Sequence, residues 1–251
     1  MLSNIREIQL HQLSMLKELD RIFKEEGISY FAVGGTALGA VRHSGFIPWD
    51  DDIDIAMLRE DYEKFLQLEH RLPDSFSIMN HANEKNYPIY FSKVLNKDVP
   101  FFDLDLLKYD IGRYIFVDVF PWDELEDWKS KKKSLNKIRR NFKKSVFKKH
   151  GSYFDTIKFS LYKLMNRFKS SDTLFAELDR ASRALSGRGT GTWGYAMLND
   201  VLTEDQLFPL RQIRFEGMDI PVPNKVEEYL THKYGDYMQL PDEKDRVNHS
   251  T

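Results

Sequence analysis

GFIPWDDDIDIAM, residues 45–57, places Asp50, Asp51, Asp52 and Asp54 within five consecutive positions of an otherwise apolar run. Strand side chains alternate, so Asp52 and Asp54 share one face while Ile53 and Ile55 point into the core. The isoleucines define the strand, and the strand aims both carboxylates at one spot. Two carboxylates ~6 to 7 Å apart repel by ~2 to 3 kcal/mol at an effective dielectric near 20. A divalent cation with oxygen ligands answers that charge, and Mg²⁺ typically takes one or two protein carboxylates together with substrate phosphates. Aspartate is depleted in half-buried strands, so a solvated turn is the weaker reading for this pair. Asp50, beside Pro48 and Trp49, is expected to orient ligands or cap the turn, and Asp51 to be peripheral.

Upstream, Ile28 to Val33 (ISYFAV) reads as a strand running into Gly34-Gly35-Thr36 and a short helix. Such a turn lets backbone approach a ligand, Thr36 is placed to cap, and a helix N-terminus offers N–H groups to a phosphate. A phosphate-friendly turn followed by paired strand carboxylates is a layout for metal-assisted transfer of a phosphoryl-type group. Asp118, a lone acid in the apolar run YIFVDVF, is the best third carboxylate. Asp103 and Asp105, in FFDLDLLK, alternate similarly and compete with it. Lys93 in IYFSKVL, and Arg42 with His43 after the short helix, are cations placed to meet a substrate phosphate.

Around this centre, Ile5 to Phe23 repeats apolar residues at helical spacing and Gly27 marks the stop. Arg59 to His70 reads as a second amphipathic helix. FSIMN, IYFSKVL and YIFVDVF, the last ending at Pro121, read as strands. The mixture predicts an α+β (mixed α/β) domain. The chain has 251 residues, 41% hydrophobic and 14% aromatic, enough for a sizeable core. Its net charge of −2 gives no electrostatic case for nucleic acid. The absence of cysteine excludes disulfides, thiolate metal sites and a cysteine nucleophile. With no apolar run long enough to span a membrane, the expected location is the cytoplasm, with peripheral contact at the inner face of the membrane as the variant.

Composition changes after Trp128. Residues 129–149 carry eleven Lys or Arg and no acid, with Leu135, Ile138, Phe142 and Val146 on a helical stripe. Two readings stand: a solvated hairpin packing its stripe on the core, or a surface for anionic lipid or a polyanionic acceptor, where each cation near such a membrane is worth ~1 kcal/mol. A second helix is expected through FSLYKLMNRF, then a Gly-rich loop at GRGTGTWGY, strands at IRFEGMDIPVP and a terminal helix at VEEYLTHKYG. The expected organisation is a catalytic core over residues 1–128, a basic helical insertion over 129–188, and a C-terminal part over 189–251 completing the core.

FAVGGTALGAVRHSGFIPWDDDIDIAMLREDYEKF closely resembles the signature of the LicD family, a branch of the nucleotidyltransferase-fold superfamily related to fukutin and fukutin-related protein. The turn matches at Gly34, Gly35 and Thr36, the paired acids at Asp52 and Asp54, and the third acid at Asp118. The closing segment RFEGMDIPVPNKVEEYLTHKYGDYMQLP, with its YGD, also resembles the family, whereas the basic segment is not covered. The resemblance implies a mixed sheet flanked by helices. It further implies Mg²⁺-dependent (or Mn²⁺-supported) transfer of phosphocholine, or of ribitol or glycerol phosphate, from a CDP-linked donor such as CDP-choline. The acceptor would be a hydroxyl of a cell-surface glycan (lipopolysaccharide, teichoic acid, capsule) or its lipid-linked precursor. A choline headgroup would want an aromatic cage, for which Trp49, Trp122 and Trp193 are available. The rivals are a nucleotidyltransferase moving an NMP from an NTP, and a non-catalytic nucleotide-binding protein.

Overall fold

The computed structural model describes residues 4–107, 109–146, 169–183, 189–246 and 248. Helix α1 (Ile5–Glu25) opens on Asn4, whose side chain accepts from Arg6 N–H, and closes before Gly27, held at φ +64°. Its apolar stripe, Met15, Leu16, Leu19 and Ile22 among others, is buried. Two polar residues on the same side, Gln9 and Gln12, are buried as well.

β1 is only Phe31–Ala32, shorter than ISYFAV suggests, because pairing to the next strand begins only at Phe31. α2 (Gly34–His43) starts at Gly34 itself, and β2 (Asp54–Leu58) returns antiparallel to β1. α3 (Arg59–Phe65) is followed by a single 3₁₀ turn at Leu68–Arg71 rather than by a continuous helix to His70. β3 (Phe76–Met79) pairs with β4 (Ser92–Pro100), which begins three residues later than IYFSKVL would have it. FFDLDLLK is not a strand: Asp103 accepts the N–H groups of Asp105 and Leu106 and opens a single helical turn, α4 (Leu104–Leu107).

The spine is β5 (Tyr114–Glu124), buried at every position after Tyr114. It runs through Pro121 instead of ending there. The reason is a change of neighbour: β4 pairs with β5 only as far as Val119, and β6 (Thr192–Tyr195) takes over at Asp123. The missing N–H of Pro121 falls in the gap between them. β6, expected as part of a loop, is a strand because it continues the sheet from β5 into β7 (Asp200–Thr203). The order is β1-β2-β5-β4-β3, with β6 on β5 and β7 on β6; β2 and β5 are parallel and the remaining pairs antiparallel. The result is an α+β fold, a mixed sheet flanked by helices.

α5 (Trp128–Val146) is the basic helix. Its stripe is buried, with the Phe142 ring 4.8 Å from His81 and 5.4 Å from Phe175 of α6 (Ser171–Arg183). The helix expected through FSLYKLMNRF lies outside the described residues, as do residues 147–149 of the basic segment. A short turn, α7 (Glu204–Leu207), leads to the hairpin β8 (Arg211–Phe215) and β9 (Met218–Val222). Glu216 and Gly217 at its tip both have positive φ, the geometry that favours tight hairpins. α8 (Val226–Tyr234) closes the chain against α2. Among the described residues, no helix is long and apolar enough to cross a membrane.

Candidate active site

Register assembles the site. In the parallel β2–β5 pair Asp54 stands opposite Asp118, and in the β5–β4 pair Asp118 stands opposite Lys93. Three charged residues from three strands therefore occupy one row on one face of the sheet. Asp52, two residues before β2, joins them: one carboxylate oxygen each from Asp52, Asp54 and Asp118 lies within 4.8 Å of the others. Asp52 and Asp54 are half-buried and Asp118 is buried.

Burial raises the Asp54 carboxyl well above the ordinary aspartate range, and the charges of Asp52, Asp118 and Asp50 raise it further against an opposing pull from Lys233. Asp118 is pushed up to about 6, again mainly by burial, although Lys93 pulls the other way. The Lys93 Nζ donates to Asp118 Oδ1 at 2.7 Å, lies 3.7 Å from Asp103 and sits 3.3 Å from the centre of the Phe116 ring. Lys93 is thus the resident counter-charge for one carboxylate. The all-oxygen set, the spacing and the mutual repulsion fit a hard divalent cation such as Mg²⁺. Asp52 and Asp54, with Asp118 beside them, are the groups that would hold it.

The Gly34-Gly35-Thr36 turn packs directly on these acids. A Cβ on Gly34, which has φ +56°, would run into Asp54 Oδ2, and one on Gly35 would stand 2.6 Å from Asp50 Oδ2. The glycines bring the positive end of α2 onto three carboxylates. Thr36 does not cap the helix. Its hydroxyl accepts the N–H of Asp54 at 2.8 Å and so positions β2. Gly34 N–H donates to the Tyr229 hydroxyl at 3.0 Å.

Arg42 and His43 are at the other end of α2, roughly 12 Å along the axis at 1.5 Å per residue. Arg42 donates to the Tyr237 carbonyl at 2.7 Å and to His43 Nε2 at 2.9 Å. The His43 imidazole is held below its ordinary pKa by burial and by the Arg42 charge. Arg42 also lies over the ring of Trp49, the residue before Asp50, at 5.9 Å. Asp51, expected at the periphery, is fully buried; its carbonyl accepts from Gln12 Nε2 at 2.7 Å. Gln12 also reaches the Phe116 carbonyl, and Gln9 holds the carbonyls of Ile47 and Asp50. Two glutamines on α1 thereby hold the aspartate loop in place. Of the aromatic residues offered for a cage, Trp122 is core, edge-on to Phe31 at 5.0 Å, and Trp49 is already stacked by Arg246 at 4.6 Å and Arg42 at 5.9 Å.

α8 supplies what reading the residues one by one missed. Beyond holding Gly34, Tyr229 donates to Asp200 at 3.3 Å, and Lys233 grips both Asp200 oxygens at 2.6 and 2.7 Å. Burial first, and then the charges of Asp54, Asp200, Asp50 and Asp52, raise the Tyr234 hydroxyl pKa. The signal was the YGD of the closing segment, which begins at Tyr234.

Fold and site together define a nucleotidyltransferase-type domain whose three clustered acids could hold a metal ion. The family model described as LicD/FKTN/FKRP, nucleotidyltransferase domain, matches residues 27–165, more than half of the sequence, and the chain belongs to that family of phosphotransferases. It is 27% identical to the lipopolysaccharide cholinephosphotransferase LicD of Haemophilus influenzae over 98% of this chain and 95% of that one. It is 30% identical to the human ribitol 5-phosphate transferase FKRP over 101 residues, 40% of this chain and 18% of that protein. It is also 40% identical to an uncharacterized Rickettsia typhi protein over 27% of this chain and 21% of that one.

Proposed function

We propose that this chain moves a phospho-substituent, with phosphocholine first among the candidates, from a CDP-activated donor to a hydroxyl of a cell-surface glycan or its lipid-linked precursor, using Mg²⁺. The supporting observation is the convergence of Asp52, Asp54 and Asp118 beside the positive end of α2. The likeness to the Haemophilus cholinephosphotransferase along nearly its whole length favours choline. The shorter likeness to a ribitol 5-phosphate transferase makes ribitol phosphate the second reading.

Bound at the three acids, the cation would neutralise the donor diphosphate. Asp52 and Asp54 hold it, with Asp50 beside the glycine turn and α2 aiming its N-terminus at the same charge. The acceptor hydroxyl oxygen attacks the phosphorus that carries choline. The bond from that phosphorus to the bridging oxygen breaks, and CMP leaves with the bridging oxygen. Asp118 is the group placed to take the hydroxyl proton, and Lys93 holds it in position. The reaction belongs on the cytoplasmic side of the membrane that carries the acceptor.

The test is product analysis with Mg²⁺ and CDP-choline, CDP-ribitol, CDP-glycerol or NTPs. Release of CMP from one CDP compound, with a matching rise in thermal midpoint, is the expected result. Pyrophosphate release from NTPs, with no CMP from any CDP compound, would sink the proposal.

A further inference from the structure

A cleft of about 640 Å³ lies between α5 and the sheet, outside the acidic centre. One wall carries Arg139, Arg140, Lys143 and Lys144, and the other carries aromatic rings including Phe91 and Tyr195. Among the described residues neither arginine is in an ion pair. Asn136, on the same wall, has a buried side-chain oxygen with no hydrogen-bond partner among the described residues. The cleft adjoins the acids: Phe120 follows Asp118 by two positions on β5, ~7 Å along the strand. Its ring lies 4.1 Å from Phe91 and 5.5 Å from Tyr195.

We infer that this cleft binds the phosphate-bearing sugar of the acceptor, with its phosphate on the α5 cations and its reactive hydroxyl turned toward Asp118. The acceptor assignment rests on the transferase reading above; the binding chemistry does not. A CDP-linked donor carries both its phosphates in one diphosphate, and that unit belongs at the acids. A second cationic centre one ring away therefore serves the other reactant. Arginine forks match phosphate oxygens in pairs. The Asn136 carboxamide can donate to a phosphate oxygen or accept from a sugar hydroxyl, so it suits a ligand with both groups. Aromatic faces suit the apolar face of a pyranose ring. A flat membrane surface fits less well. An interfacial helix buries its apolar face in lipid, but Leu135, Phe142 and Val146 are already buried in the protein, and four of the cations line a concavity.

The test is equilibrium binding of N-acetylglucosamine 1-phosphate and of N-acetylglucosamine in EDTA, which removes the metal route for phosphate. The proteins are the wild type, Arg139→Gln/Arg140→Gln, Lys143→Gln/Lys144→Gln and Asp52→Asn. The sugar phosphate is expected to bind wild type and Asp52→Asn alike, and at least tenfold more tightly than the neutral sugar. Each double variant should weaken it tenfold or more, and thermal midpoints check that both variants fold. No binding to wild type, unchanged affinity in both double variants, or loss of binding in Asp52→Asn overturns the inference. So does cosedimentation with vesicles of 30% phosphatidylglycerol in phosphatidylcholine that depends on these cations and is not displaced by the sugar phosphate. Failure of the transferase reading would show separately, as absence of CMP release with sugar-phosphate binding intact.

Discussion

The acidic centre and the α5 cleft lie on either side of the Phe91 and Phe120 rings and are built in opposite ways. At the centre, strand register forces like charges together inside the protein, and Lys93, Lys233 and the positive end of α2 only partly offset them. In the cleft, a helix turns an apolar stripe inward and keeps its cations at or near the surface, away from any low-dielectric core. Charge at the first site is strained and positioned; charge at the second is cheap and adjustable. The acid site should therefore tolerate almost no change in function, while the cleft should depend for its stability on its buried stripe alone.

The largest break in this contrast is Asp54→Asn. Transfer activity should fall ~10³-fold, several kcal/mol of lost charge stabilisation. The metal-free fold should at the same time be no less stable, because a repelled buried carboxylate becomes neutral. Steady-state kinetics beside thermal melts in EDTA measure both, and retained activity would refute the assignment.

Lys93→Met attacks the same site from its cation. It leaves Asp118 buried without its partner and should cost about 3–5 kcal/mol in denaturant unfolding. Adding Asp118→Asn should recover most of that loss. If the single variant is as stable as wild type, Lys93 is not the counter-charge described here.

Phe142→Ala sharpens the other half. Removing a fully buried ring between His81 and Phe175 should cost about 3–5 kcal/mol. By contrast, the exposed lysines Lys143 and Lys144 should each be replaceable by Gln within about 0.5 kcal/mol. Equal costs for the two faces of α5 would break the comparison.

The smallest effect lies at the hairpin tip, where Glu216 accepts from Arg6 at 2.7 and 2.9 Å and from Phe46 N–H at 3.3 Å. These contacts, the Arg6 hydrogen bonds first, hold its carboxyl below the ordinary 4.5. The folded pKa is therefore the lower one, so the contribution is present above pH 4.5 and disappears as pH falls through the folded value. Arg6 is half exposed, which limits the pair to roughly 1 kcal/mol or less. Arg6→Gln should thus lower stability more at pH 7 than in acid, where Glu216 is protonated, as read by denaturation at both.

Much of the site is legible in the sequence. Alternation with Ile53 and Ile55 separated Asp52 and Asp54 from their neighbours, and a lone acid in an apolar strand pointed to Asp118. What local pattern misread was pairing. Asp103 alternates like a strand residue but caps α4, because a short aspartate competes for backbone N–H groups. Pro121 looks like a strand end but sits where β5 exchanges β4 for β6. Thr36, apparently placed to cap α2, instead accepts from β2. The choices at Pro121 and Thr36 were decided by partners that their own segments do not contain, the one at Asp103 by a cap two and three residues on.

The sequence by itself determined the amphipathic helices, the strand carrying Asp54, the basic character of α5 and the identity of the acids, since these follow from periodicity and residue chemistry over a few neighbours. Only the tertiary structure decided that Asp54, Asp118 and Lys93 share a row, that Tyr229 holds Gly34 from 195 residues away, and that the α5 cations line a cleft beside the acids. Long-range register and helix docking are collective outcomes of burying one core, and no short window of sequence carries them.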